Sequence, residues 1–292
     1  MFKPDLAGYA IGMKLFLLTT LTMCAFAANS ILNRLAVESG ASDAAGFAVV
    51  RILSGALVLS LLVLMRGGYL PLRDRRRVVG AGALSLYMIG FSTAYVSLDA
   101  GLGALILFGV VQITMFATAA VTGSSPTGRQ ILGTVVALAG LAYVLWPSGA
   151  LRVNLTGAAL MVAAGVGWAA YSLVGRSEPD ALAGTAANFV IALPVTAFSL
   201  LVLGGTWQMT ATGYLLAALS GAVTSGLGYA LWYRVLPQLA PVVAAVVQLS
   251  VPVIAILAGV ILLGEVISVQ LIIGALLVLG GIALAVIRRS RG

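Results

Sequence analysis

Apolar residues dominate the chain in long runs that are separated by short polar segments. Ten runs of about 17 to 24 mainly apolar residues can be marked, at residues 14–34, 44–65, 78–97, 102–121, 129–146, 155–175, 183–203, 211–232, 240–263 and 269–287. A spanning helix needs roughly 20 such residues to cross a hydrocarbon core of about 30 Å. The pattern therefore predicts an all-α polytopic membrane protein with ten transmembrane helices. The first run lacks a clear small-residue cleavage site, so we expect a retained helix and not a signal peptide.

The second half of the chain repeats the first. Shifts of 138 to 142 positions align residues of like type, namely Tyr95 with Tyr233, Phe26 with Trp168, Ser30 with Ser172, Gly133 with Gly274 and Gly140 with Gly281. Each copy has five spans, so the second copy must enter the membrane from the opposite side. We therefore predict a 5+5 inverted-topology repeat, with one half at residues 1–150 and the other at 151–292. Such repeats place a substrate site near the bilayer midplane, between the halves.

The basic residues predict the orientation of the chain in the membrane. With the N-terminus inside, the inner segments contain 13 of the 16 Lys and Arg residues, and the outer segments contain only Arg34 and Arg152. Cytoplasmic loops collect Lys and Arg, so both termini are expected to be cytoplasmic. The net charge of +8 is then a consequence of topology, and the run RDRRR at residues 73–77 is expected to be a solvated inner loop at the lipid headgroups. We expect no nucleic-acid partner.

Composition argues against catalysis. The chain is 61% apolar and only 8% charged, whereas soluble domains contain about 25% charged residues. It has no His and one cysteine, Cys24, and no acidic pair lies inside a span. A membrane-embedded enzyme, the weaker alternative, would need an acid–base pair, an activated nucleophile or a metal site. We therefore expect no enzymatic activity, no metal and no cofactor. We also do not expect a channel, because a channel would need a ring of carbonyls or charges, which the two halves lack.

Polar and aromatic residues recur inside the matched helices 1 and 6, 3 and 8, and 4 and 9. Buried polar groups are costly in hydrocarbon, so such residues either bond to neighbouring helices or face a cavity. Both roles remain open for each residue. The candidates for substrate contact are Asn29, Asn33, Tyr87, Phe91, Tyr95, Gln112, Trp168, Tyr171, Ser172, Ser225, Tyr229 and Gln248. Together they predict a cavity without fixed charge.

Arg51 is the only charged residue well inside a span. A buried Arg is a candidate functional residue by default. It lies about two turns from the outer end of helix 2, however, and a long side chain can extend to the interface. We expect a structural role, in which Arg51 reaches the outer surface or pairs with Glu38 or Asp43. The remaining loop carboxylates are expected to be solvated, namely Asp99, Glu178, Asp180 and Glu265.

Two features of helices 5, 9 and 10 concern packing. Pro252 removes a backbone donor and is expected to bend helix 9 near Gln248. Small residues on one stripe allow close helix approach, so helices 5 and 10 are expected to pack through glycines spaced seven apart, with homodimerisation as the weaker alternative. These glycines are Gly133, Gly140, Gly274 and Gly281.

The motifs resemble those of the drug/metabolite transporter superfamily, of the bacterial EamA type. They are the helix-1 pattern AFAANSILNRLA at 25–36, the run APVVAAVVQLSVPVIAILAGVILLGE at 240–265 and GALLVLGGIAL at 274–284. The first copy departs from the pattern, with Thr114 in place of Pro252. The resemblance implies a basket-shaped fold with a central cavity, in the cell inner membrane. It is strongest to the ten-helix exporters of aromatic amino acids and methyl viologen.

The resemblance implies an exporter of small metabolites, most of all aromatic or other apolar amino acids. Cationic drugs such as methyl viologen, other amino acids and nucleoside-like metabolites remain alternatives. We expect alternating access in which helices 3, 4, 8 and 9 tilt, without a proton-carrying carboxylate inside the membrane. The expected partners are the substrate and the bilayer, and the protein is expected to be a monomer.

Overall fold

The architecture is described by a computed structural model covering residues 6–121, 127–146, 153–175, 178–202, 206–235, 238–239 and 247–286. Ten helical segments correspond to the ten predicted spans. They are α1 (Leu6–Glu38), α2 (Ala44–Met65), α3 (Arg76–Ala94), α4 (Ala100–Val121), α5 (Gly128–Leu145), α6 (Leu155–Gly175), α7 (Ala181–Val202), α8 (Ala211–Leu219, Ser220–Leu227 and Gly228–Val235), α9 (Ser250–Leu263) and α10 (Val269–Val286). The expectation of an all-helical polytopic protein is confirmed.

Seven of these helices are long and apolar enough to cross a membrane, and two shorter apolar helices follow at Ser250–Leu263 and Val269–Ala285. The helix α2 shows how such a helix is oriented. Leu53, Leu57, Leu61 and Leu64 are exposed, whereas Gly55 and Leu59 are buried. A stripe of leucines at intervals of three and four lies on one helix face. That face is suited to lipid, and the opposite face packs into the bundle.

Polar residues set many of the helix boundaries. The side chains of Asp43 and Thr210 accept hydrogen bonds from backbone N–H groups in the first turns of α2 and α8. Thr127 and Gln130 form a reciprocal capping box at the start of α5. Gly264, in the left-handed conformation at φ 69°, ends α9. Such residues satisfy terminal N–H and C=O groups that a helix leaves unpaired.

The helix α9 begins close to Pro252. The chain is interrupted at Leu249, and α9 starts at Ser250, so Pro252 lies in its first turn. A proline there cannot donate to the carbonyl one turn earlier, at Gln248. The break therefore falls where the bend was predicted. Residues 240–246 of the predicted run lie outside the described residues.

The helix contacts follow the internal repeat. The helix α1 packs against α8 and α9, and the equivalent helix α6 packs against α3 and α4. The pairs α2–α7, α4–α9 and α5–α10 each join a helix to its own equivalent. This pattern is expected of two related five-helix halves about a local two-fold axis. The division of the chain at residue 150 remains a prediction, since residues 147–152 lie outside the described residues.

The glycines spaced seven apart form a contact between two helices of the same chain, α5 and α10. A Cβ on Gly281 would lie 2.6 Å from the carbonyl oxygen of Gly133, and one on Gly140 would lie 2.7 Å from Cβ of Leu277. The helices α5 and α10 therefore approach with their backbones almost in contact, which only small residues permit. The expectation that these glycines pack helices 5 and 10 together is confirmed.

Contacts between loops and helix ends show that the loops lie on two faces of the bundle. On one face, Ser42 pairs with Met209 in an isolated bridge, and Glu265 reaches the start of α4. On the other face, Arg66 pairs with Asp180, so the α2–α3 and α6–α7 connections lie together. We refer to these as the first face and the second face. The second face bears the run at residues 73–77, which is basic.

Candidate functional site

Aromatic rings from both halves meet in the middle of the bundle. The Trp168 ring lies at the centre of the cluster, 4.9 Å from the rings of Tyr87 and Tyr229 and 6.1 Å from that of Phe26. Further ring contacts extend the cluster to Phe91, Tyr95, Tyr171, Phe189 and Trp232. Such pairs contribute about 0.5–1.5 kcal/mol each beyond their buried area. Phe26 and Trp168 are equivalent in the repeat, so the cluster lies where the halves meet.

A cavity lies inside this aromatic cluster. It is lined by Phe26, Asn29, Ser30, Tyr87, Phe91, Leu107, Phe108, Trp168 and Tyr229. Its volume is about 10 Å³, which is room for about one water molecule. The rings therefore fill most of the space between the halves, and any larger occupant requires them to move apart.

Five of the twelve candidate residues line the cavity, namely Asn29, Tyr87, Phe91, Trp168 and Tyr229. Two more lie directly behind them. The Tyr171 ring is buried against Trp168 and Tyr229, and the Ser225 hydroxyl lies 3.4 Å from Oδ1 of Asn29. These seven residues form one continuous group.

The other five candidates lie outside the cavity lining. The Asn33 amide donates to the Ser92 hydroxyl at 2.9 Å, and the Tyr95 hydroxyl donates to the Ala100 carbonyl at 3.3 Å. The Ser172 hydroxyl donates to the carbonyl of Trp168 within its own helix, at 2.8 Å. Gln112 and Gln248 are partly buried on α4 and just before α9. Asn33, Tyr95 and Ser172 therefore have a structural role, because their side chains form hydrogen bonds within the protein.

Asn29 ties α1 to the unusual middle part of α8. Its Oδ1 accepts hydrogen bonds from Ser220 at 2.8 Å and from Thr224. Both hydroxyls belong to the π-helical stretch Ser220–Leu227. The wider π-helical turn is often found at functional sites. Asn29 therefore combines an interhelical bond with a position on the cavity wall.

Arg51 is placed differently from what its sequence position predicted. It is fully buried, and its Nε donates to the Ser225 hydroxyl at 3.1 Å while Nη2 donates to the Tyr87 hydroxyl at 2.9 Å. The guanidinium also lies over the Phe91 and Tyr87 rings, at 4.9 and 5.3 Å from their centroids. It does not extend to the surface, and the prediction that it does so was wrong.

The predicted acidic partners of Arg51 are engaged elsewhere. Glu38 pairs with Arg34 at 3.0 Å, and Asp43 caps α2 through the N–H of Gly46. Across the described part of the chain, no carboxylate forms an ion pair with Arg51. The residues that line the cavity carry no charge, as predicted, but the Arg51 cation lies directly against two of the lining rings.

The bundle is tied together at the first face by Glu265. This carboxylate accepts from the backbone N–H of Ala100 at 2.5 Å and of Gly101 at 3.3 Å, and so caps α4 from the other half of the chain. Burial raises the pKa of Glu265, and the two N–H donors oppose that shift. The side chain is half-buried, so the expectation of a solvated carboxylate was wrong here.

Ion pairs hold the second face. Arg77 is buried and pairs with Glu178, and its Nη1 donates to the Gly184 carbonyl at 2.9 Å. Arg77 and Glu178 were expected to be solvated, and both predictions were wrong. Asp180 is half-exposed and pairs with Arg66, whose hydrogen bond lowers the pKa of that carboxyl.

Several residues of the site were not among the candidates. Phe26, Ser30, Leu107 and Phe108 also line the cavity. Phe26 and Ser30 could have been found, because the repeat aligns them with the candidates Trp168 and Ser172. Leu107 and Phe108 are ordinary apolar residues of a spanning helix and give no such signal.

Comparisons with known proteins identify the family. The EamA-like transporter family matches residues 155–287. A Pseudomonas aeruginosa protein described as "Uncharacterized protein PA1977" is 48% identical over 269 residues, which cover 92% of this chain and 93% of the relative. An Archaeoglobus fulgidus protein described as "Uncharacterized transporter" is 26% identical over 244 residues, which cover 80% and 86%.

A solved structure entitled "Crystal structure of protein" has the same fold. It superposes with a TM-score of 0.67 at 18% identity, covering 94% of this chain and 97% of that one. The likeness extends over both halves. The apolar spans and the family match make the chain a multi-pass membrane protein and a member of the EamA-like transporter family.

Proposed function

We propose that this transporter exports small apolar substrates, most of all aromatic amino acids, from the bacterial cytoplasm across the inner membrane. The observation that carries the proposal is the aromatic cluster around Trp168, which lies between the halves and encloses a cavity. Rings offer stacking partners for a flat apolar body. The amides and hydroxyls of Asn29, Ser30 and Tyr87 can meet a polar head group.

The helix contacts support alternating access. The helices α3 and α4 both pack on α6, and in the equivalent group α8 and α9 both pack on α1. The cavity lies between these groups. Rocking one group against the other would separate the rings of Tyr87 and Trp168 from those of Phe26 and Tyr229. The substrate would then enter from one side and leave to the other.

Glu265 links the two groups at the first face, because it lies after α9 and caps α4. Opening on this side would break both of these hydrogen bonds. We assign the first face to the periplasm, because the opposite face carries most of the basic residues. The termini then lie in the cytoplasm.

Energy coupling without an intramembrane proton carrier is part of the proposal. Seven of the eight acidic residues are described, and each lies in a loop or at a helix end; the eighth is Asp5. We therefore propose facilitated export down the substrate gradient. A substrate-induced proton flux in sealed vesicles, followed with an internal pH dye, would contradict this.

Counterflow in proteoliposomes tests the proposed substrate. Vesicles loaded with unlabelled phenylalanine should accumulate labelled phenylalanine from outside, and unlabelled tryptophan and tyrosine should compete. Methyl viologen, polar amino acids and nucleosides should compete at least ~10-fold less well, because each lacks an aromatic body or a carboxylate. Protein-free vesicles are the control. An absence of phenylalanine counterflow, with another class transported, would overturn the proposed substrate.

A further inference from the structure

Two arginines are buried in the part of the bundle that the structure describes, and their surroundings differ. Arg51 and Arg77 are exposed by 0% and 2%. Arg77 pairs with the nearly buried Glu178 and lies 3.7 Å from Asp74. Transferring an ion out of water costs several kcal/mol unless a partner compensates. Arg77 thus has the compensation expected of a structural arginine.

Arg51 lacks such compensation from the described residues. Its partners there are the neutral hydroxyls of Ser225 and Tyr87 and the faces of two rings. Its Nη1 is buried and has no hydrogen-bond partner among them. A guanidinium stays protonated in proteins, so the site keeps its positive charge. A positive charge and an unused donor remain for a group that comes from outside.

The position of Arg51 relates it to the cavity. It lies seven residues into α2, about 10 Å along the helix, where the chain would be well inside the membrane. Tyr87 and Phe91, which the guanidinium contacts, both line the cavity. Ser225 connects it further to Asn29, another lining residue. An occupant that separates these rings would be within reach of the arginine.

The backbone around Arg51 is packed closely against the neighbouring helices. A Cβ on Gly221 would overlap the Arg51 carbonyl oxygen, and one on Gly55 would overlap the Phe189 ring. The helix α2 therefore lies directly against the π-helical stretch of α8. This close crossing holds Ser225 beside Nε of Arg51.

We infer that Arg51 is the recognition residue for a carboxylate on the substrate. The planar guanidinium fork matches a carboxylate and can bind it through two parallel hydrogen bonds. The substrate class is then a monocarboxylate with an aromatic or apolar body, which includes zwitterionic amino acids. The same charge disfavours amines and cationic drugs. This inference deepens the proposed function and rests on it for the location of the site.

The test compares three ligands that share a phenyl ring and differ in charge. They are 3-phenylpropionate, an anion; phenylalanine, a zwitterion; and 2-phenylethylamine, a cation. Binding is measured as the ligand-dependent shift in melting temperature of the purified protein in detergent. The anion and the zwitterion should stabilise the wild type, and the cation should bind at least ~10-fold more weakly.

Substitutions at Arg51 should weaken this order of binding. Arg51→Gln should weaken binding of the anion at least ~10-fold, since truncating a buried charge pair is expensive. Arg51→Lys keeps the charge but loses the fork, so it should retain part of the preference. The control is Arg129→Gln, which makes the same charge change at an exposed position on α5 and should leave the preference intact.

The outcomes separate this inference from the proposed function. If the wild type binds the amine as well as the acid, or if Arg51→Gln keeps the preference, the role of Arg51 is overturned even where phenylalanine is transported. If the acid is preferred through Arg51 but phenylalanine is not transported, the carboxylate site stands and the proposed substrate fails. Should Arg51→Gln not fold, the wild-type order and Arg51→Lys decide.

Discussion

Asn29 illustrates how one polar side chain serves both the bundle and the cavity. Its Oδ1 is the shared acceptor for hydroxyls of the π-helical stretch of α8, and it is buried with 2% exposure. Replacing Asn29 by alanine would remove this acceptor from a buried site. The hydroxyls would then be left with fewer partners, which costs free energy.

We expect Asn29→Ala to lower the free energy of unfolding by about 1–2 kcal/mol, because polar contacts between membrane helices contribute on that scale. The matched control is Ser172→Ala. The Ser172 hydroxyl bonds only to a carbonyl of its own helix among the described residues, so the change should be about 0.5 kcal/mol or less. Thermal unfolding in detergent checks both, and equal stability of the two variants would contradict the role given to Asn29.

The residue scale is also where sequence reasoning was weakest. Arg51 was visible as the only charge inside a span, but its partners are far away in the chain. Tyr87 is 36 residues away and Ser225 is 174 residues away. Whether a buried arginine meets a carboxylate or two hydroxyls depends on which helices pack beside it. The sequence placed Glu38 and Asp43 nearer, and both turned out to be engaged by closer groups.

At the scale of helices, the glycines of α10 provide a matched pair of neighbours. A Cβ on Gly281 would lie 2.6 Å from the backbone nitrogen of Ala137, whereas one on Gly280 would have nothing within 4 Å. Backbone atoms cannot rotate away as a side chain can. The two positions therefore separate helix propensity from interhelical packing.

We expect Gly281→Ala to destabilise the protein by about 1–3 kcal/mol, because the added methyl group overpacks the α5–α10 contact. Gly280→Ala should be neutral or stabilising by up to about 1 kcal/mol, since alanine favours a helix over glycine. Melting temperatures of the two variants provide the measurement. A loss at Gly280 equal to that at Gly281 would show that the close approach is not what these glycines supply.

The end of α5 is closed by a side chain from α10. The Gln270 amide nitrogen lies 2.8 Å from the Tyr143 carbonyl oxygen and 2.9 Å from that of Trp146. It thus donates to carbonyls that the end of a helix leaves unpaired. Gln130 has the opposite role at the start of α5, because its Oε1 accepts from the N–H of Thr127 at 2.8 Å.

Replacing each glutamine by glutamate should therefore have opposite effects. Gln270→Glu removes the donor and sets a carboxylate against carbonyl oxygens, which should cost at least ~2 kcal/mol near neutral pH. The loss should shrink in acid, where the carboxyl carries a proton that it can donate. Gln130→Glu should be tolerated, since glutamate is a preferred residue of the capping box. Unfolding at two pH values measures both variants, and a harmless Gln270→Glu would contradict the assigned donor role.

At the scale of the whole molecule, the sequence was sufficient to predict the helical architecture but not to predict all the residues that form the site. The bilayer fixes the length and the apolar composition of a spanning helix, so both can be recognised in the sequence. Glycines seven residues apart predict the α5–α10 contact, because only small residues permit such a close approach. The cavity wall was found in part, at Trp168, Tyr87 and Tyr229. The π-helical stretch was missed, since its small residues Ser220, Gly221 and Thr224 are compatible with an ordinary helix.

The orientation of the whole chain can be tested with single cysteines. In a Cys24→Ser background, Thr206→Cys lies in the α7–α8 connection and Arg73→Cys in the α2–α3 connection, and both positions are exposed. A membrane-impermeant maleimide should label Thr206→Cys on intact cells, and Arg73→Cys only after permeabilisation. The positive-inside rule is the physical reason. Labelling of Arg73→Cys on intact cells would contradict the proposed orientation, with the first face in the periplasm.

The central claim is that substrate binds among the rings between the halves, with its carboxylate on Arg51. A second space competes with this location, an apolar groove of about 260 Å³ between α1 and α9 lined by Ala27, Ile31 and Ile254. The most direct measurement is an experimental structure with 4-bromophenylalanine bound, in which the bromine position can be identified. We predict bromine between Trp168, Tyr229 and their neighbours, with the carboxylate at Arg51. Bromine in the α1–α9 groove, with Arg51 still hydrogen-bonded to Ser225 and Tyr87 and not to the carboxylate, would contradict the account.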